Sequence, residues 1–181
     1  MVLEITIKGF NMKKIVLATL LTTAITFALS LGETPKNVIL SGENGSLVSG
    51  EDWNSAMLKE KVHLLLYVDP DKKSDTEKFI DTLEAKGYNS EQFKLVAIIN
   101  LKATWLPNVM IEKKLKEQQK KLPNTLYVKD KTKFLVKEWG LADDSSNIVI
   151  FDKEGKVIYT HVGALNDEEM QTVFTLLEEK M

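Results

Sequence analysis

Residues 62–77 have the sequence VHLLLYVDPDKKSDTE, an apolar run that leads through two aspartates into a helix start. The run from Val62 to Val68 is typical of a strand buried on both faces. Ser74, with Glu77 three residues later, predicts a capping box at the start of the next helix. Ligands of α/β proteins gather at the carboxyl ends of strands. The loop Asp69–Lys73 therefore stands where a site is expected.

Similar signals recur along the chain. Two short apolar stretches within 38–49 flank Asn44-Gly45, a pair that favours a hairpin. Strands are predicted at 94–100 and 125–128, and a C-terminal hairpin follows at 148–151 and 157–161 around an Asp-x-x-Gly turn. Glycine or proline marks the ends of three predicted helices, which run from Ser74 to Gly87, from near Val109 to Pro123, and from Lys131 to Trp139.

The last helix has consistent signals. Asn166 and Glu169 predict a second capping box, and Met170, Val173, Phe174 and Leu177 form one apolar face. The full order of elements predicts an α/β fold, a thioredoxin-like mixed sheet with helices on both faces and an N-terminal β-hairpin.

The composition excludes several classes of function. The chain is 44% hydrophobic with a net charge of -2, and its 24 basic residues are all lysine. Without arginine, the usual reader of guanine and phosphate, nucleic acid is not expected as a partner. No cysteine is present, so thiolate metal ligands, disulfides and thiol-disulfide or peroxidase chemistry carried by this chain are excluded. No cofactor is predicted.

The N-terminal segment has the layout of an export signal. Met12-Lys13-Lys14 precedes the apolar and threonine-rich run 15–31, and Ala28-Leu29-Ser30 fits a small-x-small cleavage site. We therefore predict that residues 1–30 comprise an upstream extension and a Sec signal peptide that starts at Met12. Residues 31–181 would form a single periplasmic domain that does not contact the membrane after cleavage. The alternative is an inner-membrane anchor formed by uncleaved residues 15–31.

Three segments resemble the YtfJ-like family of exported bacterial proteins. They are WNSAMLKEKV at 53–62, AIINLKATWLPN at 97–108, and LADDSSNIVIFDKEGKVIYTHVGALNDEEMQTVFTLLEEK at 141–180. The resemblance implies a thioredoxin-like fold with unknown function and supplies no catalytic residues. The C-terminal segment also resembles thiol-disulfide oxidoreductases and peroxiredoxins. Those enzymes hold the reactive cysteine where this chain has Asp69–Lys73, and a cis-proline where it has Ser146-Asn147.

Carboxylates are the first candidates for a site. Asp69-x-Asp71 resembles the nucleophile motif of haloacid-dehalogenase phosphatases, but Lys73 replaces the expected threonine or valine. In the predicted fold the loop before Ile148 meets the loop after the first central strand. A calcium or magnesium site formed by oxygen ligands is then one interpretation. Its candidate ligands are Asp69, Asp71, Asp143 and Asp144. The alternative is that Asp69 and Pro70 form a turn and that the carboxylates are solvated.

A serine hydrolase needs a nucleophile and a base. Ser145 or Ser146 with His63 or His161 would supply them, but no Gly-x-Ser-x-Gly elbow surrounds the serines. Strand histidines satisfied by local hydrogen bonds are commoner than catalytic ones.

Trp105 lies in an irregular segment, either exposed as an anchor for a ligand or partner or buried as a core plug. The lysines of the second helix indicate either an anionic partner or, more simply, a solvated face. These are Lys113, Lys114, Lys116, Lys120 and Lys121.

The interpretation that best fits these patterns is a non-redox binding or accessory module. Its candidate edge consists of Asp69, Asp71, Trp105, Asp144, Ser145 and Ser146. The partner would be an envelope protein or a small molecule, and the sequence does not predict an oligomeric state. The alternative is a metal-dependent or serine/aspartate hydrolase that uses the carboxylate cluster.

Overall fold

The computed structural model describes residues 29–181. The predicted upstream extension and signal peptide, and most of the alternative anchor 15–31, lie outside the described residues, so their boundaries stay predictions. Within 29–181, no helix is both long and apolar enough to cross a membrane.

The described chain contains eight strands and four α-helices. The strands are β1 (Ile39–Leu40), β2 (Gly45–Leu47), β3 (Trp53–Asn54), β4 (Val62–Val68), β5 (Phe93–Asn100), β6 (Leu126–Asp130), β7 (Asn147–Phe151) and β8 (Val157–Val162). The helices are α1 (Ser74–Lys86), α2 (Asn108–Lys121), α3 (Phe134–Trp139) and α4 (Asp167–Lys180).

Six strands form one mixed sheet in the order β2-β6-β5-β4-β7-β8. The central strands β4, β5 and β6 are parallel, whereas β7 and β8 continue the sheet in antiparallel pairs. Every residue of β4 is buried, as its apolar sequence predicts. The predicted C-terminal hairpin is confirmed by the pairing of β7 with β8.

Helices cover both faces of the sheet, as predicted. One face packs against α1 and α4, where the Phe79 and Phe174 rings stack with centroids 5.4 Å apart. The helix α2 lies on this same face, since Lys114 lines one cavity with Thr76 and Ile80 of α1. The other face packs against α3 and the N-terminal segment, which contribute Leu135, Trp139 and Trp53 to a second core.

The N-terminal pairing differs from the predicted hairpin around Asn44-Gly45. An antiparallel pair is present, but it joins β1 to β3, while β2 leaves it and pairs with β6 at the edge of the main sheet. Gly45 permits this because its φ is +151° and a Cβ there would lie 1.9 Å from Lys129 O. The open edge of β6 offers a longer row of backbone partners than β1 does, so β2 adds to the larger sheet.

The capping box predicted at Ser74 is wrong. A 3₁₀ turn at Pro70–Lys72 runs directly into α1, so Lys73 is the N-cap and Ser74 is already helical. Backbone carbonyls accept from the first amides instead, since Thr76 N donates to Lys73 O at 3.2 Å. The predicted end of α1 and start of α4 are confirmed, with Gly87 left-handed and a complete Asn166–Glu169 capping box. The helix predicted from Lys131 begins later, at Phe134, because Lys133 is left-handed and cannot belong to it.

Candidate functional site

The loop that follows β4 is built around Asp69. This buried side chain accepts a hydrogen bond from Asp71 N at 2.8 Å and so caps the 3₁₀ turn. Pro70 fixes the first residue of that turn. Burial raises the pKa of the Asp69 carboxyl, and the nearby charges of Asp71 and Asp144 add to this increase. Asp69 therefore shapes the loop and is poorly placed to meet solvent.

Asp71 connects this loop to the segment after β5. Thr104 Oγ1 donates to Asp71 Oδ1 at 2.8 Å, and Leu106 N donates to Thr104 Oγ1 at 3.2 Å. Trp105 lies between Thr104 and Leu106 in the chain, and 83% of its surface is exposed. The structure thus places Trp105 on the surface, beside the loop that corresponds to a thioredoxin active site.

The segment before β7 completes the edge with Asp143 and Asp144. Asp143 accepts from Lys133 Nζ and, at 3.4 Å, from Asn100 Nδ2, and the lysine bond lowers the pKa of its carboxyl. Asp144 is 77% exposed, and its Oδ1 lies 3.9 Å from Lys133 Nζ. Hydrogen bonding to Asp143 in turn raises the pKa of Lys133. A lysine ammonium therefore lies among the carboxylates of this edge.

This arrangement bears on the predicted cation site. Asp69, Asp71, Asp143 and Asp144 do come to the same edge, yet no three acidic or histidine side chains in residues 29–181 are grouped to hold a metal ion. Asp69 and Asp71 are engaged by an amide and a hydroxyl, and Lys133 supplies positive charge to the other two.

The two serines have different environments. Ser146 is fully buried, and its Oγ donates to Lys72 O at 3.4 Å, so it joins the segment before β7 to the loop after β4. Ser145 is half-buried. Neither histidine is bonded to them, because His63 Nδ1 lies 2.9 Å from Lys61 O and His161 Nε2 lies 3.2 Å from Ala164 O. The geometry gives neither serine a base.

Below the edge lies a buried polar group that the sequence interpretation missed. The fully buried Asp130 accepts from Tyr67 Oη at 3.1 Å and from the amides of Phe134 and Leu135, both at 2.9 Å. It thereby satisfies the first two amides of α3. The sequence contained one indication of this role, since Asp130 ends a strand and lies four residues before the first residue of α3. Asp130 therefore joins β4, β6 and the start of α3 beneath the candidate edge.

An exposed apolar surface adjoins the edge. Trp105 is followed at the start of α2 by Val109 and Met110, which are 74% and 62% exposed. We call these three residues the edge patch. Large exposed apolar side chains grouped together mark interaction sites more often than scattered ones do.

Fold and site together define a class, a thioredoxin-like protein whose loop after β4 holds aspartates and lysines and whose chain has no cysteine. The residues before β7 show no cis peptide bond. The chain belongs to the YtfJ family, since the family model, described as "Bacterial protein of unknown function", matches residues 36–180.

Two relatives are similar to the chain in sequence, and one solved structure is similar in fold. An "Uncharacterized protein" of Haemophilus influenzae is 28% identical over 82% of this chain and 85% of its own length. The "Uncharacterized protein YtfJ" of Escherichia coli is 29% identical over 76% and 79%. Among solved structures, the exposed lipoprotein thioredoxin Etrx1 of Streptococcus pneumoniae matches with a TM-score of 0.56 and 18% identity, over 80% of this chain and 99% of its own. The last similarity confirms the predicted thioredoxin-like fold.

Proposed function

We propose that this chain is a non-redox binding module of the periplasm that docks an exported protein on its edge patch. The observation that carries the proposal is the exposure of Trp105, 83%, beside the loop after β4. Tryptophan is a frequent centre of binding energy at protein interfaces because it contributes a large rigid surface. The Thr104–Asp71 bond fixes the residue before Trp105, so the backbone at this position loses little freedom on binding.

The charge next to the edge patch indicates what the partner carries. Beyond Met110, the solvent face of α2 consists largely of lysines, while Glu112 and Glu117 are its acidic residues. The exposed lysines are Lys113, Lys114, Lys116, Lys120 and Lys121. The partner that fits is a protein segment with an apolar side chain for Trp105 and acidic residues for α2.

The hydrolase alternative has weaker support. A serine nucleophile needs a base within hydrogen-bond reach, but Ser146 is buried and donates to a backbone carbonyl. A metal-dependent mechanism needs a group of free ligands, whereas Lys133 already bonds Asp143.

The periplasmic location rests on the sequence from Met12 to Ser30. Cell fractionation tests it, with release of the chain by osmotic shock as the expected result. Retention in the membrane fraction would favour the anchor formed by residues 15–31, and recovery with cytosolic proteins would reject export.

Docking can be tested with a photo-crosslinking amino acid placed at Trp105 in living cells. Glu179, exposed at the far end of α4, is the matched control position. We expect a discrete protein adduct from position 105, none from position 179, and loss of the adduct when Lys113→Glu and Lys116→Glu reverse the charge on α2.

The protein found in the adduct is then purified and its affinity measured directly. We expect Trp105→Ala to weaken binding at least tenfold, as for a central interface residue. Equal affinity of the variant, an adduct consisting of a second copy of the chain, or crosslinking only to lipid would each reject the proposed docking.

A further inference from the structure

A second candidate site lies at the opposite end of the sheet. A cavity of about 280 Å³ opens between β4, β5 and the segment around Met57. We call it the basic cavity, and the lining residues that matter are Trp53, Met57, Lys59, Lys61, His63 and Lys94. His63 is six residues before Asp69 along β4, so the two sites are about 20 Å apart at the usual rise of a strand.

Positive charge is concentrated in this cavity. His63 and Lys94 are directly opposite each other in the parallel pair β4–β5. Lys61 donates to Ser90 O at 2.6 Å. None of Lys59, Lys61 and Lys94 has an ion-pair partner in the part of the chain that the structure describes. Glu60 is the acidic residue of the lining. Three lysines beside one carboxylate leave a net positive charge that an anion would neutralise.

The pKa values of two groups in the cavity reflect their burial and their positively charged neighbours. Burial lowers the pKa of Lys94, and the neighbouring Lys61 lowers it further. Burial also lowers the pKa of His63, with smaller contributions in the same direction from Lys61 and Lys94. These cations therefore repel one another.

Trp53 adds an unpaired donor. Its ring is fully buried, and its Nε1 has no hydrogen-bond partner, whereas the Nε1 of the neighbouring Trp139 donates to Lys36 O at 2.8 Å. A buried N–H without an acceptor costs about 1–3 kcal/mol. Native structures seldom keep such a group without a reason, but this donor lies behind the cavity wall, since Trp53 has no exposed surface.

We propose that the basic cavity binds a small organic anion. Its phosphate or carboxylate head would lie between Lys61 and Lys94, and its apolar body against Met57 and Leu126. The volume of about 280 Å³ is just below the range of pockets for drug-sized ligands, so the ligand is smaller than these. This site is separate from the edge patch and does not depend on the proposed docking.

The test titrates the purified chain with phenyl phosphate and with benzoate, followed by calorimetry and by the amide NMR signals of β4 and β5. Phenol and inorganic phosphate are the comparison ligands, one without charge and the other without an apolar body. We expect saturable binding of phenyl phosphate or benzoate that is at least tenfold tighter than binding of either comparison ligand.

Variants then locate the site. Lys94→Gln and Lys61→Gln are expected to weaken binding about tenfold each, the size of a lost charge-assisted hydrogen bond. Lys137→Gln, exposed on α3, is the matched control and should leave affinity unchanged.

Three results would overturn the proposal. The first is no binding of either organic anion at millimolar concentration by a chain whose melting curve shows that it is folded. The second is equal binding of phenol or of inorganic phosphate. The third is equal loss of affinity in the Lys94→Gln and Lys137→Gln variants, which would indicate a diffuse effect of charge.

Discussion

The Tyr67 hydroxyl donates a hydrogen bond of 3.1 Å to the carboxylate of Asp130, although the two residues are 63 positions apart in the sequence. Tyr67 is on β4, next to the loop after it, and Asp130 ends β6 and holds the start of α3. Burial, followed by the charge of Asp130, raises the pKa of Tyr67, so the hydroxyl stays protonated and remains a donor. The bond joins the two ends of the edge from beneath.

Tyr67→Phe is expected to lower the free energy of unfolding by about 1.5 kcal/mol, because it removes a buried hydrogen bond to a charged group. Asp130 keeps its amide donors, so the loss should be no greater than about 3 kcal/mol. Urea denaturation measures the change. Tyr127→Phe is the matched control, because the Tyr127 hydroxyl makes no hydrogen bond within residues 29–181. An equal effect of the two substitutions would show that the bond contributes nothing.

Gly45→Ala is expected to destabilise the protein by about 3 kcal/mol, because a Cβ at this position meets Lys129 O at 1.9 Å and the backbone is left-handed. The β2 strand should separate from β6, which hydrogen exchange of the Val48 amide would detect, because this amide donates to Tyr127 O at 3.0 Å. Gly42→Ala is the control, since φ there is also positive but nothing lies within 4 Å of the added atom. Its cost should stay near 1 kcal/mol. Similar losses for both variants would refute the close approach as the cause.

Much of the fold followed from the sequence because its signals are local. The apolar run of β4, the glycine after α1 and the capping box of α4 each act within a few residues, and the structure confirms all three. The pairing of β2 could not be predicted in the same way. Asn44-Gly45 favours a hairpin locally, but the partner that β2 takes is β6, more than 80 residues away, and tertiary context decides between them.

The sequence predicted where the candidate site lies in the fold, but it did not predict how the side chains there are arranged. The meeting of the loops after β4 and before β7 follows from topology, and Ser146 contacts Lys72 as that argument requires. The sequence did not predict whether Trp105 is exposed, since an aromatic side chain in a loop is buried or exposed according to the residues that pack around it. Lys133 was missed because nothing near it in the sequence shows that it reaches Asp143.

Asp69→Ala is expected to cost about 1 kcal/mol, as for the loss of a capping side chain, whereas Asp69→Asn keeps the acceptor for Asp71 N and should cost less. The raised pKa of Asp69 gives a further difference. The folded protein binds this proton more readily than the unfolded chain, so stability is lost as pH rises from 3.8 through the folded pKa. Asp69→Asn should remove that loss. Denaturation curves of both variants at acidic and neutral pH test this, and equal destabilisation would show that no capping occurs.

Calcium or magnesium at millimolar concentration is expected to leave the melting temperature unchanged, because Lys133 lies beside Asp143 and Asp144 and repels a cation. A thermal-shift measurement of the purified chain tests this. An increase that disappears in Asp144→Asn, but persists when Glu154→Gln alters the exposed turn before β8, would instead support the cation site and the hydrolase interpretation.

The pKa of His63 is expected to lie below 6.5 because the ring is buried and lies near Lys61 and Lys94. Since Nδ1 is paired with Lys61 O, the neutral ring carries its proton on Nδ1. The unfolded chain therefore binds a proton more readily than the folded protein. Stability is full above pH 6.5 and is lost as pH falls from there through the folded pKa.

An NMR titration of the His63 ring measures this value directly. Lys94→Gln removes one of the repelling charges and should raise the pKa toward its ordinary value, whereas the control Lys113→Gln, on α2, should leave it unchanged. A phenyl phosphate molecule in the basic cavity should raise the pKa in the same direction, because a bound anion stabilises the protonated ring. A pKa above 6.5 in the free protein would mean that a negative charge, rather than two lysines, dominates the surroundings of His63.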